Sequence, residues 1–335
     1  MKTIRTEEAC GHVLAHDLTQ IIPGEYKGAR FKKGHIVTEE DIPVMLSMGK
    51  ENLYVLELTD TDVHEDEAGR RIAGSAAGIN TVLTEKGEGK VEINAAISGV
   101  LRIDRERLAG LNADDNVMFS TIHGDRYVNK GDLLAGTRVI PLYVDESVVI
   151  RAEGIGEVIH VDAMKPCKVG VVITGSEVYK GLIEDKFGDI LLKKFSDLGC
   201  SELCRLYSDD DEAMIAEKIL EVKAAGADFI AVTGGMSVDP DDRTPAGIRR
   251  AGVEIESYGA PVLPGAMFLL GYLGDIPVVG LPGCVMFAKA TVFDLVVPRL
   301  LTGERLIKKD IKALAEGGLC RGCKPCTYPR CGFGC

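Results

Sequence analysis

Three glycine-rich turns, each directly behind a short apolar run, constrain this chain more than any other feature. The runs are Val169-Gly170-Val171-Val172-Ile173, Asp228-Phe229-Ile230-Ala231-Val232 and Pro277-Val278-Val279-Gly280-Leu281. The turns are Thr174-Gly175-Ser176-Glu177, Thr233-Gly234-Gly235-Met236-Ser237 and Leu281-Pro282-Gly283-Cys284. A strand that is apolar on both sides must be covered on both faces, as in a parallel sheet with helices above and below. Helical segments alternate with the runs. One covers about 188–198. Another starts at Asp211, with Ile215, Ile219 and Val222 on one face, and ends at Gly226. A last one carries Ala288, Val292, Leu295 and Val296, and a further strand is expected near 201–207. The alternation predicts a three-layer, parallel-sheet α/β domain over 165–303.

Ligands on such sheets bind beyond the C-terminal strand ends. Small residues there let a ligand approach the backbone closely. The N–H groups of these turns, with the hydroxyls of Thr174, Ser176, Thr233 and Ser237, can hold phosphate or the polar edge of a heterocycle. Two acidic clusters join them. Asp209-Asp210-Asp211 precedes a helix, and Asp211 reads as its N-cap. Asp239, Asp241 and Asp242 follow the Gly-Gly turn, where a carboxylate suits Mg²⁺.

Thr233-Gly234-Gly235-Met236-Ser237 followed by Asp242-Arg243-Thr244-Pro245 resembles the signature of molybdopterin-binding domains, found in molybdopterin adenylyltransferases and molybdopterin molybdotransferases. Asp209 resembles the aspartate that both families place before a helix. Pro264-Gly265 and Gly280-Leu281-Pro282-Gly283 resemble their later proline-glycine turns, and Thr174-Gly175-Ser176-Glu177 the molybdotransferase Thr-Gly-Asp-Glu turn. The resemblance implies a fold, molybdopterin or its adenylylated form as ligand, an adenine nucleotide, and Mg²⁺. It implies catalytic roles for Asp242 and Asp209, with Asp242 on the metal. It implies ligand contacts from Thr174, Gly175, Ser176, Glu177, Thr233, Gly234, Gly235, Ser237, Pro264, Gly265, Pro282 and Gly283. Three readings follow: Mg²⁺-dependent molybdate insertion or AMP transfer, pterin binding and delivery without turnover, or a nucleotide hydrolase of the competence-damage-inducible type. Departures from the pattern keep the second open. Cys284-Val285 stands for Asn-Pro, Ala266-Met267 for Lys-Pro, and Asp239-Pro240 interrupts Ser-Val-Gly.

The remainder divides by composition. Residues 1–62 read as a small α+β region, with a helix from Glu39 stopped at Gly49 and a strand Leu53-Tyr54-Val55-Leu56. Its Gly11-His12-Val13-Leu14-Ala15-His16-Asp17-Leu18 resembles the opening of molybdotransferases. Residues 63–150 read as β-rich, with a helix over 66–79 and strands at 91–93, 117–122 and 139–142 broken by turn residues. The stretch 142–166 reads as a connector in which 144–152 is a strand.

The last sixteen residues hold Cys320, Cys323, Cys326, Cys331 and Cys335. Thiolates at this density fit zinc or an iron–sulfur cluster, so 318–335 reads as a metal-binding tail. Cys200 and Cys204 read as buried small hydrophobes, while Cys10 and Cys167 carry no spacing signal. A net charge of −12 argues against nucleic acid or an anionic membrane as partner. Without an apolar leader or a long apolar run, the expectation is a cytoplasmic chain with reduced or metal-bound cysteines. The expected partners are a molybdoenzyme, another cofactor-assembly protein or a second copy of the chain.

Overall fold

The chain, in a computed structural model, is described over residues 2–22, 26–56, 61–236 and 242–334, the side chain of Tyr26 excepted. The apolar runs do become the centre of a sheet. Six strands lie in the order Ser201–Ser208, Lys168–Thr174, Phe229–Thr233, Ile276–Leu281, Leu269–Leu273 and Glu254–Tyr258. The first four are parallel; the last two run antiparallel to their neighbours. The sheet is therefore mixed, and those last two strands extend the parallel part that the runs foretold.

Burial follows from the pleat. Val169, Val171 and Ile173 point into one layer with Phe195, Phe229 and Phe293, and Val172 into the other with Ile215, Ile219 and Val222. Phe195 meets Phe229 and Phe293 edge-on, with ring centroids 5.2 and 5.0 Å apart, a favoured aromatic geometry. The helix from Asp211 spans Glu212–Ala224, and Asp211 caps it by accepting from the N–H groups of Ala213 and Met214. The last predicted helix is shorter than expected. It spans Val292–Leu301, and Ala288 precedes it. Its start is set by a capping box between Thr291 and Asp294.

The stretch 144–152 corrects a sequence expectation. Apart from the strand Tyr143–Asp145, it is helical, in a helix that spans Glu146–Ile155. Val148, Val149 and Ile150 favour strands, but tertiary contacts override that preference. Asp145 accepts from the Ser147 N–H as N-cap, and Arg71 clasps Glu146 and Glu153 at 2.8 and 2.7 Å from the neighbouring helix Glu65–Ala76. The supposed connector continues as the strand Ile159–Ala163, which pairs with Gly99–Ile103 inside the β-rich region. The strand expected at 139–142 ends at Val139, where Leu133–Val139 stops. The N-terminal helix occupies Asp41–Ser47 and the strand after it Asn52–Leu56. Among the described residues no helix is long and apolar enough to cross a membrane.

Arg102 joins the β-rich region to the α/β domain. Its guanidinium reaches Asp162 at 2.8 Å, Asp125 at 2.7 Å and, just past the Val292–Leu301 helix, Glu304 at 2.6 Å. Burial alone would raise the Glu304 pKa, but hydrogen bonds from Arg299 and Arg102 overcome it and hold the carboxyl below its ordinary range. A depressed carboxylate pKa stabilises the fold above the unfolded value of about 4.3 and loses that contribution as the pH falls through the folded value. Glu304→Gln is accordingly expected to lower stability at neutral pH and to flatten the acid limb of the denaturation profile. Urea titrations between neutral pH and about pH 3 check both. An acid limb as steep as the parent's would remove Glu304 from this role.

Candidate functional site

Strand register brings the turns together. Thr174 pairs with Ser208, Ile173 with Thr233, Thr233 with Leu281, and Leu269 with Gly280. All these residues stand at the C-terminal edge of the parallel strands. The chain therefore leaves this edge at Gly175, Asp209, Gly234 and Pro282, and enters it through 259–268.

Threonine hydroxyls meet at this edge. Thr174 Oγ1 donates to the Thr233 carbonyl at 3.2 Å and lies 2.8 Å from Thr244 Oγ1. Thr233 and Thr244 are fully buried. Thr233 Oγ1 has no hydrogen-bond partner among the described residues. A buried hydroxyl without a partner costs roughly 1–3 kcal/mol, so its presence at a strand end suits a ligand that completes it. Gly234 has φ +93°, and a Cβ on it would stand 2.1 Å from the Thr174 carbonyl oxygen. Only glycine permits that turn.

Asp209 and Ser176 form a second cluster there. The Ser176 hydroxyl donates to Asp209 and approaches Asp210 at 3.1 Å, and its N–H donates to Asp210 at 2.9 Å. The Ser176 hydroxyl, the Asp210 N–H and Lys180 at 3.8 Å keep the Asp209 carboxyl below the usual carboxylate range. Asp209 is thus ionised and its orientation set. The Ser176 hydroxyl and N–H thereby hold two carboxylates in place. Glu177 is exposed.

Asp242 lies two residues before Thr244 and is half-buried. Burial pushes the Tyr258 hydroxyl pKa up and the Asp242 charge adds to it, which places the two within electrostatic reach. The same hydroxyl donates to the Met236 carbonyl at 3.3 Å. Among the described residues no three His, Cys, Asp or Glu side chains gather closely enough to hold a metal ion by themselves. Ser237, Asp239, Asp241 and Cys335 lie outside the described residues.

The proline-glycine turns differ from one another. Gly265 lies against Val292, where a Cβ would stand 2.5 Å from Val292 Cγ1, and the Pro264 carbonyl accepts from the Val292 N–H at 3.1 Å. This turn seats the last helix. Gly283 has open space within 4 Å. Cys284, beside it, is half-buried, and burial pushes its thiol pKa up. A hollow of about 860 Å³ opens beyond this turn, bordered by Met286, Phe287, Lys289, Lys194, Asp294 and Cys326. Asp210, Thr244 and Tyr258 were not expected site residues. For Thr244 the signal was its place in the Asp242-Arg243-Thr244-Pro245 stretch. For Tyr258 there was none, because its strand pairs antiparallel at the far edge.

Cys200 is buried as expected, but its contact was not foreseen: the Cys167 thiol sits 2.8 Å from Cys200 Sγ.

Known proteins resemble parts of this chain. Residues 170–302 match a family described as a probable molybdopterin binding domain, and residues 3–57 match a domain of unknown function. The chain is 29% identical over 221 residues to the molybdopterin molybdenumtransferase of Haemophilus influenzae, covering 59% of this chain and 52% of that protein. It thus spans about half the length of the curated relative it matches. Solved structures similar to part of it include the molybdopterin biosynthesis enzyme MoaB of Thermus thermophilus. That match has 19% identity, a TM-score of 0.34, and covers 41% of this chain and 98% of that one. The tungsten cofactor synthesizing protein MoaB of Pyrococcus furiosus matches at 23% identity and TM-score 0.31, covering 36% of this chain and 84% of that one. Residues 170–302 are thus similar to a probable molybdopterin binding domain, and the chain to a molybdopterin molybdenumtransferase over part of its length.

Proposed function

We propose that the crevice at this sheet edge binds molybdopterin or its adenylylated form and carries out Mg²⁺-dependent molybdate insertion with release of AMP. The observation that carries the reading is the shared edge, where Thr174, Ser208, Thr233 and Leu281 end in register. A planar pterin with a phosphate tail needs a shallow, small-residue floor with donors along it. The N–H groups at Gly234 and Gly235 and the unpartnered Thr233 hydroxyl supply that. Thr174, Gly175, Ser176, Glu177, Ser237, Pro282 and Gly283 line or shape the rest, and Pro264 and Gly265 hold the neighbouring helix in place.

Mg²⁺ commonly binds one or two carboxylates plus substrate phosphates and keeps several waters. A site of that kind needs no three-ligand cage, and Asp209, held ionised, together with Asp242 fits it. When bound, the metal neutralises phosphate charge. The protein's part is to orient the two carboxylates, through Ser176 and Asp210 on one side and the Thr244 helix start on the other.

Delivery of the pterin without turnover is the second reading. It is favoured by Ser176, which is committed to the carboxylates, and by the neutral Cys284 thiol in a turn where molybdotransferases carry a polar amide. AMP transfer from ATP to the pterin phosphate is a variant of the first. Incubating the chain with molybdopterin, ATP, Mg²⁺ and molybdate separates them. The expected result is AMP transfer or molybdenum loading that depends on Mg²⁺. Tight pterin binding without either points to delivery. Failure to bind the pterin at micromolar concentration sinks both.

The same reading includes a second, thiolate-type metal site in the C-terminal tail, for zinc or an iron–sulfur cluster. Supporting it, the thiols of Cys320, Cys323, Cys326 and Cys331 border one hollow.

A further inference from the structure

The tail is a closed loop held at several points, although only the stretch 308–313 before it is helical. The Gly334 N–H donates to the Gly317 carbonyl at 2.9 Å, which shuts the loop. Its entry is tied to the α/β domain. The Leu263 N–H donates to the Gly318 carbonyl, and the Cys320 N–H to the Leu263 carbonyl, both at 2.8 Å. Tyr328 donates to the Asp294 carbonyl at 2.7 Å, and Phe333 is buried in the domain's core. On the other side Arg126 donates to the carbonyls of Pro329 and Cys331, and Arg330 pairs with Asp132 at 2.7 Å. The loop therefore bridges the β-rich region and the α/β domain.

Its interior holds thiols where a small unit would have apolar side chains. Cys320, Cys323, Cys326 and Cys331, with Tyr328 and Phe333, border a hollow of about 140 Å³. Cys320, Cys326 and Cys331 are half-buried against the core, and Cys323 is exposed. A segment this short, with few buried apolar groups, ordinarily needs a cross-link or a metal to hold one shape. Among the described residues no three of these thiols stand close enough together to hold a single metal ion. Four thiolates around one zinc, at ~2.3 Å from the ion, would stand roughly 3.8 Å apart and leave no space between them. Thiols set around a hollow call instead for an occupant several atoms across.

Resting on the reading of the tail as a thiolate metal site, we propose that it holds a [4Fe–4S] cluster on Cys320, Cys323, Cys326 and Cys331, and that the cluster fastens the tail between the two units. Four-iron clusters are held by four cysteine thiolates, and Cys320, Cys323 and Cys326 keep the C-x₂-C-x₂-C spacing of three ligands to one such cluster, with Cys331 across the hollow as the fourth. Each thiol would bind as thiolate and release its proton. The Arg126 guanidinium at the Cys331 carbonyl and Arg321 at the rim offset the resulting negative charge. Cys326 also borders the 860 Å³ hollow lined by Met286, Phe287 and Lys194.

The full chain, purified without oxygen and reconstituted with ferric iron and sulfide, the thiol reductant supplying the electrons that convert half of the iron to ferrous, is the test. About four iron and four acid-labile sulfide per chain are expected. A visible absorption band that bleaches with dithionite should accompany them. Cys326→Ala should lose at least half of the iron. Cys10→Ala, at an exposed cysteine outside the tail, should keep it. Trypsin cleavage within 317–334 should be faster in the metal-free wild-type chain than in the loaded one, a readout that needs no variant to fold. One zinc per chain with no sulfide overturns the cluster but leaves a thiolate metal site. No metal after reconstitution overturns both.

Discussion

Asp242→Ala should lower turnover, whether molybdate insertion or AMP transfer, by about 10²-fold or more, the scale for losing a group that holds a charge-neutralising metal. The fold should survive the change. Asp242 is half-buried in the segment before the Thr244–Arg250 helix. The buried contact there belongs to Thr244, whose hydroxyl meets Thr174, and Pro245 pre-sets the helix entry. Melting temperature should therefore move by no more than ~2 °C, as expected of a partly exposed site away from the core. A spectroscopic readout is independent of activity. With the carboxylate gone the Tyr258 hydroxyl should ionise at lower pH, because burial would then raise its pKa without the added charge. If the chain delivers pterin without turnover, the quantity to follow is the Mg²⁺-dependent part of pterin affinity by calorimetry, and Asp242→Ala should abolish it. Undiminished turnover together with unchanged Mg²⁺-dependent affinity would remove Asp242 from the site.

The second large effect concerns stability. Gly234→Ala should destabilise the chain by on the order of 3–5 kcal/mol, because two costs fall on one atom. The φ of +93° is one that L residues rarely adopt, and the added Cβ would stand 2.1 Å from the Thr174 carbonyl oxygen and 2.6 Å from its hydroxyl. Both belong to the threonine cluster at the sheet edge and are not movable side-chain ends. Gly283→Ala is the contrasting case, since nothing stands within 4 Å of its Cβ position. It should change stability by no more than about 0.5 kcal/mol. If the third turn is kept small so that a ligand can approach, Gly283→Ala should nonetheless weaken pterin binding several-fold. Urea titrations of the two variants side by side decide the first point, and pterin titration the second. Equal stability losses would mean that the two glycines do not differ as their surroundings say.

Much of the α/β domain was legible from residues alone. Val169–Ile173, Phe229–Val232 and Val278–Leu281 are apolar at every position, and only a strand covered on both faces tolerates that. Asp211 announced its helix because an acceptor side chain at an N-cap acts on backbone N–H groups two and three residues away, a purely local matter. The glycine-containing turns were recognisable because each directly follows one of those strands. What local pattern could not show is equally specific. Val144–Ala152 has strand-forming residues, and its helix depends on Arg71, some seventy positions earlier, holding Glu146 and Glu153. The antiparallel strands 254–258 and 269–273 gave little signal because their burial comes from neighbours across the sheet. Nor could local pattern show that the Ser176 hydroxyl meets Asp209 and Asp210, more than thirty residues away.

From the sequence by itself came the four parallel strands of the sheet's centre, the helices at 187–197, 212–224 and 292–301, and the set of small residues at its edge, because each rests on contacts within a few positions or on burial written into one segment. The tertiary structure alone decided which strand ends meet, that Thr233 is buried without a partner, that the β-rich region runs on to Ala163, and that the cysteine tail folds back between two units. Each of these depends on groups distant in the chain coming within hydrogen-bonding or van der Waals range. That proximity is settled by how the layers pack, not by the order of residues within any one of them.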